Sequence, residues 1–178
     1  MQAFIFDTET TGLIPNLSLK DEHLPEITEF YGCVVDLDSG EVVSDYGSLV
    51  KPKRLISDEI VAITGIDNDL VKDAPPFAEV ADAIQAAILS APMVIAHNLS
   101  FDMDMVAVEF GRLGRELKWP DLKVCTVEQT VHRKGYRLSL GDLHAELFGE
   151  PHEGAHRAKP DVDALAKVCV QLRKEGYL

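Results

Sequence analysis

The chain has 178 residues, 46% of them hydrophobic, and a formal net charge of −13. That length and apolar content suit one globular domain over residues 1–178 and exclude a disordered chain, while the acidity argues against a protein that coats nucleic acid through a broad basic surface. No apolar run approaches the roughly 18–20 residues that cross a bilayer, and Asp7 comes too early for a secretory signal, so no membrane partner and a cytoplasmic location are expected.

In chain order, residues 2–8 read as a strand, and residues 27–36 and 41–50 as two more joined by the turn "LDSG". Antiparallel pairing of these three is expected. "SDEIVAITGI" suggests a short helix opened by Ser57, and residues 77–90, after Pro75 and Pro76, have helical spacing. "MVIA" at 93–96 reads as a buried strand, followed by a helix over about 100–114 that Asn98 or Ser100 could cap. "LKVCT" is expected as a strand, 139–148 as a helix, and 160–175 as a last helix with Pro160 at its opening and Gly176 just past its end. Hairpins first and β/α alternation afterwards indicate an α/β fold with a mixed sheet and helices on its faces. Cys33, Cys125 and Cys169 are odd in number, far apart and set in apolar stretches, which suits structural thiols rather than disulfides or zinc ligands.

Side chains alternate across a strand, so Ile5, Asp7 and Glu9 share one face while Phe4, Phe6 and Thr8 share the other. Two carboxylates about 4 Å apart repel by roughly 4 kcal/mol at an effective dielectric near 20. Such a pair calls for a cation, shared protons or abundant solvent, and a hard divalent metal or a solvated strand end both answer it. In "HNLSFDMDM", Asp102 falls in the first turn of a helix, as a dipole-stabilising acid or a functional one, and His97 reads equally as a histidine satisfied at a strand end. In "HEGAHRAKPDVDAL", Asp161 opens the last helix and His156 lies on the loop before it, five residues away, where a surface histidine and a capping acid are the plainer alternative.

Together these segments resemble the three motifs of the DnaQ-like, DEDDh 3′–5′ exonuclease family. "FDTETTGL" is similar to the first motif, "AHNLSFD" to the second and "HRAKPD" to the third. "ITGIDNDLVKDAPPFAEV" and "SLGDLHAELFG" are similar to the family's intervening segments, so the likeness spans nearly the whole chain. It implies a ribonuclease H-like fold, a five-stranded mixed sheet with its three antiparallel strands first, flanked by α-helices.

Carried over by position, the resemblance implies that Asp7, Glu9, Asp102 and Asp161 hold two Mg²⁺ or Mn²⁺ ions and that His156 is the general base. Spacing selects Asp102 and Asp161 over Asp104 and Asp163. The product would be a nucleoside 5′-monophosphate cut from a 3′ end. Thr10, Thr11, Leu13, Ile66, His97, Asn98 and Phe101 would contact substrate, with Leu13 and Ile66 against the terminal bases and Phe101 supporting sugar or base. Arg133, Lys134 and Arg137 become candidates for upstream phosphates.

Single-stranded nucleic acid or 3′ ends are the expected partner, DNA favoured over RNA, with distributive action because few phosphates are gripped. No polymerase-binding tail follows the last helix, so a stand-alone enzyme is expected. Two rivals are a haloacid-dehalogenase-like phosphatase, whose nucleophile strand resembles "FIFDTET" but has Asp in place of Glu9, and a catalytically inert module that binds 3′ ends.

Overall fold

A computed structural model of the protein describes residues 1–14 and 24–178. Five strands form one sheet: β1 (Gln2–Thr10), β2 (Ile27–Asp36), β3 (Val42–Leu49), β4 (Met93–Ala96) and β5 (Leu122–Cys125), in the order β3-β2-β1-β4-β5. The first three pair antiparallel; β4 lies parallel to β1 and β5 parallel to β4. The described helices are α1 (Asp58–Thr64), α2 (Phe77–Ile88), α3 (Leu99–Arg112), α4 (Thr126–Lys134), α5 (Leu140–Phe148) and α6 (Ala158–Lys174). This is the mixed α/β architecture that the motifs implied.

The alternation in β1 divides the core into two layers. Phe4 and Phe6 face one side, where Phe30 and Val34 of β2 join Phe77, Val80 and Ile84 of α2 and Met105, Val106 and Phe110 of α3. Ala3 and Ile5 face the other, with Cys33 and Val35 against Leu143 of α5 and Val162, Leu165, Val168 and Cys169 of α6. Gly32, opposite Phe6, makes room for the first layer: a Cβ there would lie 2.3 Å from the Phe4 ring. Cys33 and Cys169 are buried thiols, and burial pushes Cys33 up to about 12. Both therefore act as small apolar residues.

Several boundaries differ from the sequence reading. β1 runs to Thr10, two residues farther than expected, because the β2 ladder continues through Glu9 opposite Glu29 before a bulge at Thr10. α3 starts at Leu99 with Asn98 in the left-handed region (φ 74°) and no side-chain cap. α6 starts two residues before Pro160, which is tolerated there because a first-turn N–H has no partner within the helix. α4 was not expected at all. Its Cys125 N-cap supplies no side-chain bond, and its apolar residues are few, so neither end signal nor periodicity announces it.

Candidate active site

The carboxyl ends of β1 and β4 lie side by side where the sheet changes from antiparallel to parallel pairing, the place where α/β sheets gather their sites. Asp7 and Glu9 leave β1 on the α6 side. Asp161, in the first turn of α6, meets them there, and a carboxylate oxygen from each of the three lies within 4.8 Å of the others. Thr8 points the opposite way, toward α3. Its backbone N–H (3.1 Å) and hydroxyl (2.8 Å) both donate to Oδ1 of Asp102, a side chain in the first turn of α3 with only 2% of its surface exposed.

Four acids at one strand end disturb each other. Burial, then the charges of Asp102, Glu9 and Asp161, push the Asp7 carboxyl well above the usual carboxylate range. Burial, with Asp161, Glu29 and Asp102, raises Glu9 to about 8. Asp102 is raised to about 7 by burial, against the downward pull of the Thr8 hydrogen bonds. An all-carboxylate donor set held this close suits hard divalent cations such as Mg²⁺ or Mn²⁺, whose charge would remove the repulsion.

The loop before α6 completes the site. His156 is exposed, and its backbone N–H donates to Oδ2 of Asp161 (3.0 Å). Among the described residues only His156 (φ 67°) and Asn98 adopt left-handed backbone without being glycine, and each stands in a motif segment. Such conformations cost of order 1 kcal/mol and collect at functional sites.

The other expected contacts divide. Leu13 is 80% exposed beside the acids' strand, and Phe101 is partly exposed on α3, packed against the first core layer. Thr10 spends its hydroxyl on the Gly12 carbonyl (2.6 Å), while the Thr11 hydroxyl accepts from the Glu26 N–H (3.0 Å). Both threonines shape the turn after β1. Asn98 Oδ1 accepts from Arg137 (2.7 Å).

Three expectations need correcting. Ile66 is fully buried in a small cluster with Ile56 and Val71, so its side chain has no face to offer a base. His97 is engaged at both ring nitrogens, Nδ1 with the Thr126 hydroxyl (2.9 Å) and Nε2 donating to the Leu138 carbonyl (3.0 Å), and burial lowers its pKa. It is the satisfied strand-end histidine rather than a substrate ligand. Arg133, 17% exposed, is held by Glu146 (2.7 Å) and Glu175 (2.6 Å) and is not free to follow a phosphate.

Two residues escaped the sequence reading. Glu29, opposite Glu9, accepts from Arg157 Nε (2.9 Å) and Nη2 (2.8 Å) and from the Ala158 N–H (3.0 Å), tying the start of α6 to β2. An acid inside the otherwise apolar "ITEFYGCVV" was its signal. His152 places Nε2 2.5 Å from Oδ1 of Asp161, and a histidine in an irregular loop carries no periodicity to mark it.

A mixed sheet whose switch point gathers acids that could hold a divalent metal suits a protein of the nuclease type. The model of the exonuclease (RNase T) family matches residues 4–169, and the chain belongs to that family, with a ribonuclease H-like fold. Over 176 residues it is 28% identical to the 3′–5′ exonuclease DinG of Bacillus subtilis, covering 94% of this chain and 17% of that protein. Over 170 residues it is 30% identical to a PolC-type DNA polymerase III of Caldanaerobacter subterraneus, covering 94% of this chain and 11% of the polymerase. The chain thus spans about a sixth or less of these relatives' length. Similar solved folds include two nucleases. One is the nuclease domain of 3′hExo, a DEDDh family member bound to rAMP (TM-score 0.78, 17% identity, 98% of this chain and 92% of that one). The other is exonuclease X in complex with 5′ overhanging duplex DNA (TM-score 0.69, 24% identity, 98% and 93%).

Proposed function

We propose that residues 1–178 work as one 3′–5′ exonuclease domain, which hydrolyses the terminal phosphodiester bond of a nucleic acid, DNA in preference to RNA, and releases nucleoside 5′-monophosphates. The convergence of Asp7, Glu9 and Asp161 within 4.8 Å, with Asp102 held beside them by Thr8, carries this reading. Relatives named as DNA polymerases and a neighbour solved with duplex DNA support the choice of DNA.

Asp7, Glu9, Asp102 and Asp161 would hold two Mg²⁺ or Mn²⁺ ions. Such a pair, when bound, stabilises the attacking and leaving oxygens of an in-line displacement at phosphorus. Thr8 keeps Asp102 aimed toward the strand end, and the Glu29–Arg157 pair keeps the start of α6 against β2, so that Asp161 meets the β1 acids. His156, exposed on its loop, accepts the proton of the attacking water through a ring nitrogen. Leu13, the exposed apolar side chain next to the site, offers a face to the terminal base.

The test is digestion of 5′-labelled single- and double-stranded DNA and RNA with Mg²⁺ or Mn²⁺. We expect stepwise shortening from the 3′ end, release of 5′-monophosphates, no activity in Asp7→Ala, and a loss of about a hundredfold or more in His156→Ala, the scale of a missing general base. Full activity in both variants would reject the site, and binding of 3′ ends without monophosphate release in Mn²⁺ would reject catalysis.

A further inference from the structure

Both oxygens of Asp161 are already engaged by its own surroundings: Oδ2 by the His156 N–H at 3.0 Å and Oδ1 by His152 Nε2 at 2.5 Å. The second contact is built, not incidental. The His152 side chain is 8% exposed, and its other nitrogen, Nδ1, is buried with no hydrogen-bond partner among the described residues. A buried ring nitrogen left unpaired is destabilising, so stability alone does not account for the ring's placement.

Its neighbours fix that placement. The His144 ring lies 5.9 Å from the His152 ring, packs against Phe148 at 4.7 Å and is anchored through Nδ1 to the Glu150 carbonyl at 2.7 Å. A succession of ring neighbours therefore runs from α5 through His144 and His152 to the Asp161 carboxylate. His152 itself stands outside the group of three acids whose oxygens lie within 4.8 Å of one another.

We propose that His152 is a positioning residue for Asp161. By donating from Nε2 to Oδ1 it holds the carboxylate turned toward Asp7 and Glu9, so that the ligand set is pre-formed rather than splayed by the repulsion of its neighbours. This inference rests on the metal-site reading above. Groups that orient metal-binding side chains in this way typically change metal affinity 10–100-fold when removed.

The test is Mn²⁺ titration by calorimetry of the full chain and its variants, with the rate measured alongside as a function of Mn²⁺. In His152→Ala the Mn²⁺ dissociation constant and the Mn²⁺ concentration for half-maximal rate should rise about 10–100-fold, while kcat at saturating Mn²⁺ stays within a few-fold. His152→Gln, whose side-chain amide can donate to the same oxygen, should recover most of the affinity. If the alanine variant does not fold, His152→Leu fills the space without a donor and carries the same expectation. Unchanged or tighter Mn²⁺ binding in the folded Ala or Leu variant overturns the proposal, as does an equal loss in Gln and Leu. A wild-type chain that binds no Mn²⁺ would instead bring down the metal-site reading itself.

Discussion

Thr8 gives both its backbone N–H and its hydroxyl to one oxygen of Asp102, across 94 positions of sequence. The contact fastens the first turn of α3 to the end of β1 and keeps a buried carboxylate from standing alone. Thr8→Val keeps the shape and removes the hydroxyl. Above about pH 8, where the buried Asp102 carboxyl is ionised, a loss of about 1.5–3 kcal/mol is expected, against little for Thr8→Ser. Urea denaturation of the metal-free chain measures it, and a Val variant as stable as wild type would refute it.

The raised carboxyls at the site set a pH dependence. Glu9 is held near 8 in the folded chain against an ordinary value of 4.5, so between those values the folded state binds more protons than the unfolded one. The contribution of Glu9 to metal-free stability is then lost as pH rises from about 4.5 to about 8. Glu9→Gln removes this liability. Melted in chelator, it should exceed wild type by several degrees at pH 8.5, with the gap closing toward pH 5. A gap that widens on acidification would show the sign to be wrong.

Arg157 and Glu29 form a two-pronged pair that spans 128 positions. Glu29 is largely buried, with its side chain 12% exposed, but Arg157 is 40% exposed, so solvent screens part of the attraction. Arg157→Ala should cost about 1–3 kcal/mol, mostly from leaving the Glu29 carboxylate with the Ala158 N–H as its remaining donor. Adding Glu29→Gln to it should cost less than the sum of the two single changes. Additive losses in denaturant melts would mean that the pair is not coupled.

Leu13 and Ile66 should part company on mutation. Ile66 is fully buried and Leu13 is 80% exposed. Ile66→Ala should therefore lose about 2–5 kcal/mol of stability, the usual cost of truncating a core isoleucine. Leu13→Ala should stay within about 0.5 kcal/mol of wild type and raise KM for an oligonucleotide while leaving kcat nearly unchanged. A thermal melt and a substrate titration on each variant decide the matter.

Much of this protein is legible in its amino-acid order, because the relevant physics is local. Period-two alternation set Asp7 and Glu9 on one face of β1 and Thr8 on the other. Ser57 and Gly176 marked helix ends through a hydrogen bond and a backbone conformation that involve only near neighbours. The three motif segments could be recognised because their residue types and order are properties of the chain alone. What waited for the tertiary structure is whatever depends on contacts between distant segments. The Asp161 carboxylate is shaped by His152, whose own ring is fixed by helix α5. Ile66 and His97 look available in the chain but are enclosed by Ile56, Val71, Thr126 and Leu138 once the layers pack. Glu29 acquires its role only because β2 runs beside β1 and meets the start of α6. Burial and charge pairing are sums over neighbours in space, and a linear order does not contain those sums until the sheet has brought its strand ends together.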